Sequence, residues 1–248
     1  SIMKLKKLVA ITLSTVMCMA ALTGCGGKSD SAKKTAKVIE VDLTDEQYAF
    51  GVDKDQPDLL KEVNQFVSDM KSDGTFDEIC NRYFGDGTPV PVQSATYDES
   101  KDQLVVATNA AFEPFEYMDG ENYVGIDMEI AKALADKLGK ELVIQNMDFD
   151  AVCLSVGQHK CDIAMAGLTI KPDREEYVAF SDPYYSASQK LITLSTDTQF
   201  DDCKTADDVN KILEAKGSDE KIGFQNGTTG QFYCEGDDDW GFPGLKME

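Results

Sequence analysis

Histidine and tryptophan occur once each in this 248-residue chain, and proline only seven times. A lone histidine, His159, and the lack of any Cys-x-x-Cys pair give a zinc site poor support. Neither a metal nor an organic cofactor is therefore expected. Basic residues are scarce: 24 Lys and Arg face 45 Asp and Glu, a formal charge of −21. Binding nucleic acid rests on neutralising phosphates with Lys and Arg, so this balance argues against it. Long apolar runs are missing too. The mostly apolar stretch from Leu8 to Leu22 covers 15 residues, fewer than a bilayer-spanning helix needs. What the chain does have is 42% hydrophobic and 9% aromatic residues, enough for sizeable cores and too much for disorder.

The N-terminus indicates a compartment. Lys4, Lys6 and Lys7 precede the apolar run, and no acid occurs among the first 24 residues. A positive start and a short apolar core read as a secretory signal peptide over 1–24. It ends in Leu22-Thr23-Gly24-Cys25, which resembles the lipobox of bacterial lipoproteins. That resemblance implies a lipid on Cys25 and a protein anchored outside the cytoplasm to the bacterial membrane. Residues 25–36, beginning Gly26-Gly27-Lys28-Ser29, suit a flexible tether. The alternative is a buried N-terminal helix with a chance cysteine. Beyond Cys25 lie Cys80, Cys153, Cys161, Cys203 and Cys234, an odd number that cannot pair completely within one chain. Cys153 and Cys161 could form a disulfide, or act as small core hydrophobes.

Lys37 to Val41 reads as a strand, as does 48–52. Gln56-Pro57 opens a helix whose Leu59, Leu60, Val63, Phe66, Val67 and Met70 form one apolar stripe, ended by Gly74. Thr75-Phe76-Asp77-Glu78 is a capping-box pattern starting a second helix, with Phe76, Ile79, Cys80 and Tyr83 inward. Residues 85–103 have Gly, Pro, Ser and acids without periodicity, and read as a linker. Strands and helices then alternate. Strands are expected at Leu104–Thr108, Glu141–Gln145, Asp162–Ala166, Tyr177–Phe180, Lys190–Leu194 and Lys221–Phe224. Helices are expected at Gly125–Leu138, Asp150–Val156 and Thr205–Ala215. Such alternation predicts an α/β fold with mostly parallel sheets, binding ligands beyond the carboxyl ends of its strands.

Three strand ends carry candidate chemistry. Thr108-Asn109-Ala110-Ala111-Phe112-Glu113-Pro114-Phe115 sets polar groups beside aromatics. Gly167-Leu168-Thr169-Ile170 is followed by Arg174, and Gln225-Asn226-Gly227-Thr228-Thr229 closes the set. Backbone amides, hydroxyls and one guanidinium suit a carboxylate, because Arg offers a two-pronged fork. Phe112, Phe149 and Tyr185 could wall an aliphatic stem or simply fill the core. Arg174 could equally form a surface ion pair with Glu175 or Glu176.

These residues carry a resemblance to a family. Leu104 to Leu194 resembles the first lobe of type II periplasmic solute-binding proteins, specifically the polar amino acid family (family 3) of ABC importers. The matching pieces are Ala107 to Phe115, Gly125-Ile126-Asp127, Ala166 to Arg174 and Phe180-Ser181-Asp182-Pro183-Tyr184-Tyr185. Ile222 to Gly230 resembles the start of the second lobe. The family implies a two-lobed α/β fold, each lobe a mixed sheet flanked by helices, that closes on an amino acid and presents it to a membrane permease. By position, Arg174 would hold the ligand α-carboxylate, helped by Thr169 and by Thr229 with its neighbour Thr228. The Gly167 carbonyl and Thr169 hydroxyl would take the α-ammonium. Phe112 and Phe149 would flank the side chain, with Asn109 and Gln225 as polar contacts. Both of the latter are uncharged, which leans towards a neutral polar ligand. A monomer is expected.

The order of the pieces departs from the family. The stretch from Leu43 through Gly74-Thr75-Phe76-Asp77-Glu78-Ile79 to Tyr83-Phe84-Gly85 resembles the family's C-terminal segment, yet here it comes first. A circular permutation explains this. The old C-terminus runs through a linker that could span up to about 60 Å. The expected organisation is then signal peptide 1–24, tether 25–36, second-lobe strand 37–47, first-lobe helices 48–84, linker 85–103, first lobe 104–193 and partial second lobe 194–248. Crossings near Gln47–Tyr48 and Thr193–Ser195 would be hinges. The second lobe looks incomplete, from a fragmentary sequence or a reduced lobe. The family's aspartate for the ligand ammonium has no match, and the acidic run 235–239 reads as a solvated loop.

Two other readings stand beside the importer receptor. One is a ligand-sensing or non-transporting module. The other is a dehydratase-like enzyme on the same fold, which would need a positioned acid or base. No catalytic residue is assigned: His159 sits at a helix–strand turn away from the expected cleft, and only Glu113 is a nearby carboxylate.

Overall fold

The computed structural model describes residues 34–216 and 220–246. The signal peptide, Cys25 and most of the tether lie outside the described residues. The first elements are β1 (Ala36–Val38), β2 (Glu46–Tyr48), β3 (Gly51–Val52), α1 (Pro57–Ser72), α2 (Thr75–Phe84), β4 (Gln103–Thr108), β5 (Ala111–Phe112), β6 (Glu116–Asp119), β7 (Asn122–Val124) and α3 (Ile126–Leu138). They are followed by β8 (Glu141–Asn146), α4 (Phe149–Gly157), β9 (Ile163–Ala164), β10 (Ala179–Phe180), β11 (Tyr185–Ala187), β12 (Ile192–Leu194), α5 (Ala206–Glu214) and α6 (Thr229–Glu235). A single 3-10 turn covers Arg174–Glu176.

The chain divides into two compact units. The larger holds residues 46–187 and 222–244, so 222–244 groups with the expected first lobe rather than with 194–221. Its five-stranded sheet runs β10-β3-β9-β4-β8. Strand β4 pairs in parallel with β8 and β9, whereas β3 pairs antiparallel with β9 and β10. The sheet is thus mixed, not mostly parallel. Successive side chains of a strand point to opposite faces, and β4 is buried on both. Leu104 and Val106 join one core with α1, α2 and α3, while Val105 and Ala107 join another with α4. The stripe of α1 does what its spacing predicts: Val63, Phe66, Val67 and Met70 are buried.

Local chemistry sets the ends of the helices. Pro57 starts α1, where its missing N–H has no helical partner to lose. The capping box expected at Thr75–Glu78 does not form. Thr75 is already helical, and its amide donates to the Asp73 carboxylate at 2.9 Å. Gly125, at φ +134°, turns the chain into α3; a Cβ there would lie 2.1 Å from the Phe115 carbonyl oxygen, so only glycine fits.

Three features were not legible beforehand. The meander β5-β6-β7 and strand β11 are two to four residues long, too short for a periodic signal. The expected strand at Lys221–Phe224 is irregular, with no neighbouring ladder to join. Part of the 85–103 linker is docked. Val92 exchanges backbone hydrogen bonds with Tyr123, the Ala95 amide donates to the Leu142 carbonyl, and the Ile144 amide donates to the Ser94 hydroxyl at 2.8 Å. It thereby covers the outer edge of β8, which would otherwise expose unpaired backbone groups.

The smaller unit comprises the described parts of 34–45, 188–221 and 245–248. It pairs β1 antiparallel with β12 and carries α5. Thr205 caps α5 reciprocally with Asp208, each accepting from the other's amide. Ile39, Val41, Phe200, Val209 and Leu213 are buried. All five described cysteines are free, so Cys153 and Cys161 are buried small hydrophobes and not a disulfide.

Candidate functional site

The carboxyl ends of β4, β8 and β9 in the larger unit deliver three loops to one place. Thr108 leads into Asn109, whose side-chain amide donates to the Met147 carbonyl at 2.8 Å. The Ala110 amide donates to the Asn146 side chain at 2.9 Å. Beyond β9 the chain reaches Gly167, at φ +52°, where a Cβ would press on the Phe112 ring at 2.9 Å. The Gly167 amide donates to Asp127 Oδ2 at 2.8 Å.

Arg174 lies beneath these loops and is only 7% exposed. Nη1 donates to the Thr169 carbonyl at 2.8 Å, and Nη2 donates to the Gly227 carbonyl at 3.0 Å. The Phe149 ring stacks 5.3 Å from the guanidinium. No carboxylate among the described residues lies within ion-pair distance of it. Burial accordingly lowers the Arg174 pKa from the ordinary guanidinium value, with nearby negative groups pulling the other way. The surface pair with Glu175 or Glu176 is therefore not what holds this side chain.

The 225–244 segment is fastened over the same region. Gln225 Nε2 donates to Asn109 Oδ1 at 3.0 Å, and the Thr228 hydroxyl donates to the Gln225 carbonyl at 2.7 Å. Thr229 begins α6 and is buried. The acidic run, expected as a solvated loop, instead holds a cation. Lys171, 1% exposed, pairs with Asp173 at 3.0 Å, Asp237 at 3.1 Å and Asp239 at 4.0 Å. Its ammonium also sits 4.5 Å over the Phe232 ring. Burying a lysine requires such partners, and no local spacing revealed them because two of them come from a distant stretch of chain.

Beneath the loops lies a second buried charge. Asp127, 0% exposed, accepts from Gly167 N and from the Tyr184 hydroxyl at 2.6 Å. Burial pushes its carboxyl up to about 6 even against those two hydrogen bonds. Neighbouring Glu116 is driven well above the ordinary carboxylate range by burial and then by the Asp127 charge. Burial raises the thiols of Cys153 and Cys80 to about 11 and about 12, so neither is a ready nucleophile. His159 faces Asp53 and Asp55, well removed from the loops in sequence, and donor–acceptor distances of 2.9 and 3.3 Å account for its ring.

The structure thus gathers Asn109, Phe149, Gly167, Thr169, Arg174, Gln225, Thr228 and Thr229 within one unit, with Phe112 packed on Gly167. Tyr185 packs with Phe115 and Tyr48. Sequence reading assigned no role to Lys171, Asp127 or Glu46. The last of these accepts the Thr169 hydroxyl at 2.7 Å.

With this geometry in view, residues 7–86 and 104–223 match the model of the bacterial extracellular solute-binding proteins, family 3. The chain belongs to that family. Membership brings the type II periplasmic-binding fold, consistent with the mixed sheet and flanking helices. Among relatives, the arginine-binding extracellular protein ArtP of Bacillus subtilis is 40% identical over 96 residues, 39% of this chain and 38% of the relative. ABC transporter arginine-binding protein 1 of Escherichia coli is 33% identical over 135 residues, 54% and 50% of the two chains. Cyclohexadienyl dehydratase of Pseudomonas aeruginosa is 32% identical over 127 residues, 50% and 47%. A solved ancestral arginine-binding protein bound to arginine is 41% identical over 34% of this chain and 38% of its own, with a TM-score of 0.33. The chain spans about half or less of the length of these curated relatives. Family members are extracellular, and no described helix is long and apolar enough to cross a membrane.

Proposed function

We propose that the protein is an extracytoplasmic, lipid-anchored receptor that binds a polar L-amino acid and hands it to an ABC permease. One observation carries the ligand class: Arg174 is a buried guanidinium that donates to the neutral carbonyls of Thr169 and Gly227. Such a charge is strongly stabilised by a carboxylate that binds it through two parallel hydrogen bonds. The incoming carboxylate displaces the Gly227 carbonyl from Nη2, and Thr169 and Thr229 border it. Gly167 and Thr169 face the ammonium, and Phe112 and Phe149 flank the stem.

The side-chain preference is basic, with arginine the first candidate. Asn109 and Gln225 hydrogen-bond to each other, so their neutrality does not select a neutral ligand. A net charge of −21 attracts cations, and two of the relatives above are named for binding arginine. The permuted order of the family's segments and the division into two lobes belong to this same reading.

Thermal unfolding against the twenty amino acids tests it. A ligand at 100 times its Kd is expected to add about 2.7 kcal/mol, a rise of a few degrees at this size. Arginine, and more weakly histidine, lysine or glutamine, should raise Tm, and Arg174→Ala should abolish the rise while the protein remains folded. A folded sample indifferent to all twenty would sink the receptor reading.

A further inference from the structure

His159 is the single histidine of the chain, and each of its two ring nitrogens faces a carboxylate. Nδ1 lies 2.9 and 3.0 Å from the two oxygens of Asp53, and Nε2 lies 3.3 Å from Asp55 Oδ2. A neutral imidazole carries one N–H, so it donates to only one of these acids. Asp53 is the better-fixed acceptor. It is buried, its Oδ1 accepts the Asp55 amide at 3.0 Å, and its Oδ2 accepts Gln56 Nε2 at 3.3 Å. With the proton on Nδ1, Nε2 turns its lone pair towards the Asp55 carboxylate. Two lone pairs so placed repel each other, and a cation between them turns the repulsion into two bonds. We propose that this place binds a divalent first-row transition metal ion such as zinc. His159 Nε2 and the Asp55 carboxylate are the ligands, and Asp53 orients the imidazole.

The sheet brings the three residues together. Strands β3 and β9 pair antiparallel with Val52 opposite Ile163, and the Asp53 amide donates to the Asp162 carbonyl at 2.9 Å. The loop from β3 into α1 therefore lies beside the turn from α4 into β9, which carries His159. One donor atom from each of Asp53, Asp55 and His159 lies within 4.8 Å of the other two. The Nε2–Oδ2 separation of 3.3 Å is close to the roughly 3.4 Å between two ligands of a tetrahedral zinc with bonds of about 2.0–2.1 Å. A carboxylate that accepts the other ring N–H is what fixes the tautomer of a ligating histidine. Imidazole with carboxylate suits zinc, nickel or copper, whereas magnesium and calcium take oxygen donors alone. The side chains of His159 and Asp55 are 54% and 77% exposed, so an ion reaches them and water completes its coordination. Asp162 brings a third carboxylate close by, accepting Gln56 Nε2 at 2.9 Å, while the intervening Lys54 donates to the Glu176 carbonyl at 3.1 Å. Asp53 and His159 are 106 positions apart, so no ligand spacing in the sequence shows the set.

The lone histidine makes the test specific. The full chain, stripped of metal by a chelator, is titrated with zinc chloride in buffer alkaline enough to leave the imidazole neutral. Nitrogen NMR of the ring should show Nε2 moving to a metal-bound position while Nδ1 stays protonated. Calorimetry should show zinc binding that His159→Asn weakens at least tenfold and Asp55→Asn about fivefold. Calcium or magnesium chloride at the same concentration should give no binding. Asparagine accepts the left-handed backbone that His159 holds at φ +59°, and Asp55 is exposed, so both variants should fold. The partly exposed Cys80, Cys203 and Cys234 are the competing zinc ligands. Zinc binding that persists unchanged in His159→Asn, with the wild-type ring nitrogens unmoved, belongs to those thiols and overturns the proposal. A shift at Nδ1 in place of Nε2 overturns the role given to Asp53. Calcium that binds as tightly as zinc overturns the class of ion.

Discussion

Lys171→Met should destabilise the larger unit by about 3 kcal/mol, more than most single substitutions of comparable shape. Methionine nearly conserves the volume of the lysine stem, so packing changes little. Charge is what is lost. Lys171 is buried against Asp237, which is itself mostly covered, and without the ammonium that carboxylate stays desolvated and uncompensated. Asp173 and Asp239 are about half exposed and contribute less, since water screens them. The contact with Phe232 disappears as well. Urea unfolding followed by tryptophan fluorescence measures the loss, because Trp240 lies in the segment that the lysine fastens. The double variant Lys171→Met with Asp237→Asn should recover part of the deficit, since it removes the stranded charge. Hydrogen exchange over 229–244 should accelerate in the single variant, with the 104–108 strand unaffected. If the single variant unfolds at the wild-type urea midpoint, the four contacts of Lys171 are ornamental surface pairs and not a clamp.

The same lysine shows how far sequence could be followed. Elements whose signal is local were legible: the stripe of α1, the Gly139 stop of α3, and the apolar run of β4. Each depends on residues within a few positions of one another. The candidate loop residues Gly167, Thr169 and Arg174 were picked out through family resemblance, because they fall on a short motif. What escaped was every contact whose two halves are far apart. Lys171 meets Asp237, and Glu46 meets Thr169, only after folding has brought the strands together. The capping box at Thr75 failed for a local reason, since Asp73 competes for the same amide. The acidic run 235–239 was misread because composition reports charge but not the buried cation that charge surrounds. Parallel pairing was overestimated because alternation of strands and helices fixes the crossovers of β4, β8 and β9 but says nothing about β3 and β10, which enter from other parts of the chain.

Asp127 should make the protein less stable as pH rises from about 4 to 7, the reverse of what an ion-paired carboxylate does. Its folded-state carboxyl is raised to about 6 by burial, against a reference of 3.8. Between those values the folded protein holds a proton that the unfolded chain has released, so stability falls as the proton is withdrawn. The full loss across the window is about 3 kcal/mol. Glu116, also held well above its ordinary value by burial, adds a fall of the same sign, because the unfolded chain releases that proton while the folded protein keeps it. This fall is common to wild type and an Asp127 variant, apart from the part of the shift that the Asp127 charge itself supplies. His159 titrates nearby under the influence of Asp53 and Asp55, but it contributes equally to wild type and to an Asp127 variant. The difference between the two profiles therefore isolates Asp127. In Asp127→Asn the side chain can accept from only one of Gly167 N and the Tyr184 hydroxyl, so the variant should be weaker than wild type at pH 4. Its deficit should shrink steadily towards pH 7, because it no longer carries a charge that burial penalises. Chemical denaturation at half-unit pH intervals reads the gap directly, and parallel curves across the range would show that Asp127 is ionised without penalty. The carboxylate anchors the Gly167 amide at φ +52°, in the loop whose Thr169 carbonyl accepts from Arg174. Stability given up beneath the site at neutral pH is thus the counterpart of a rigid loop above it.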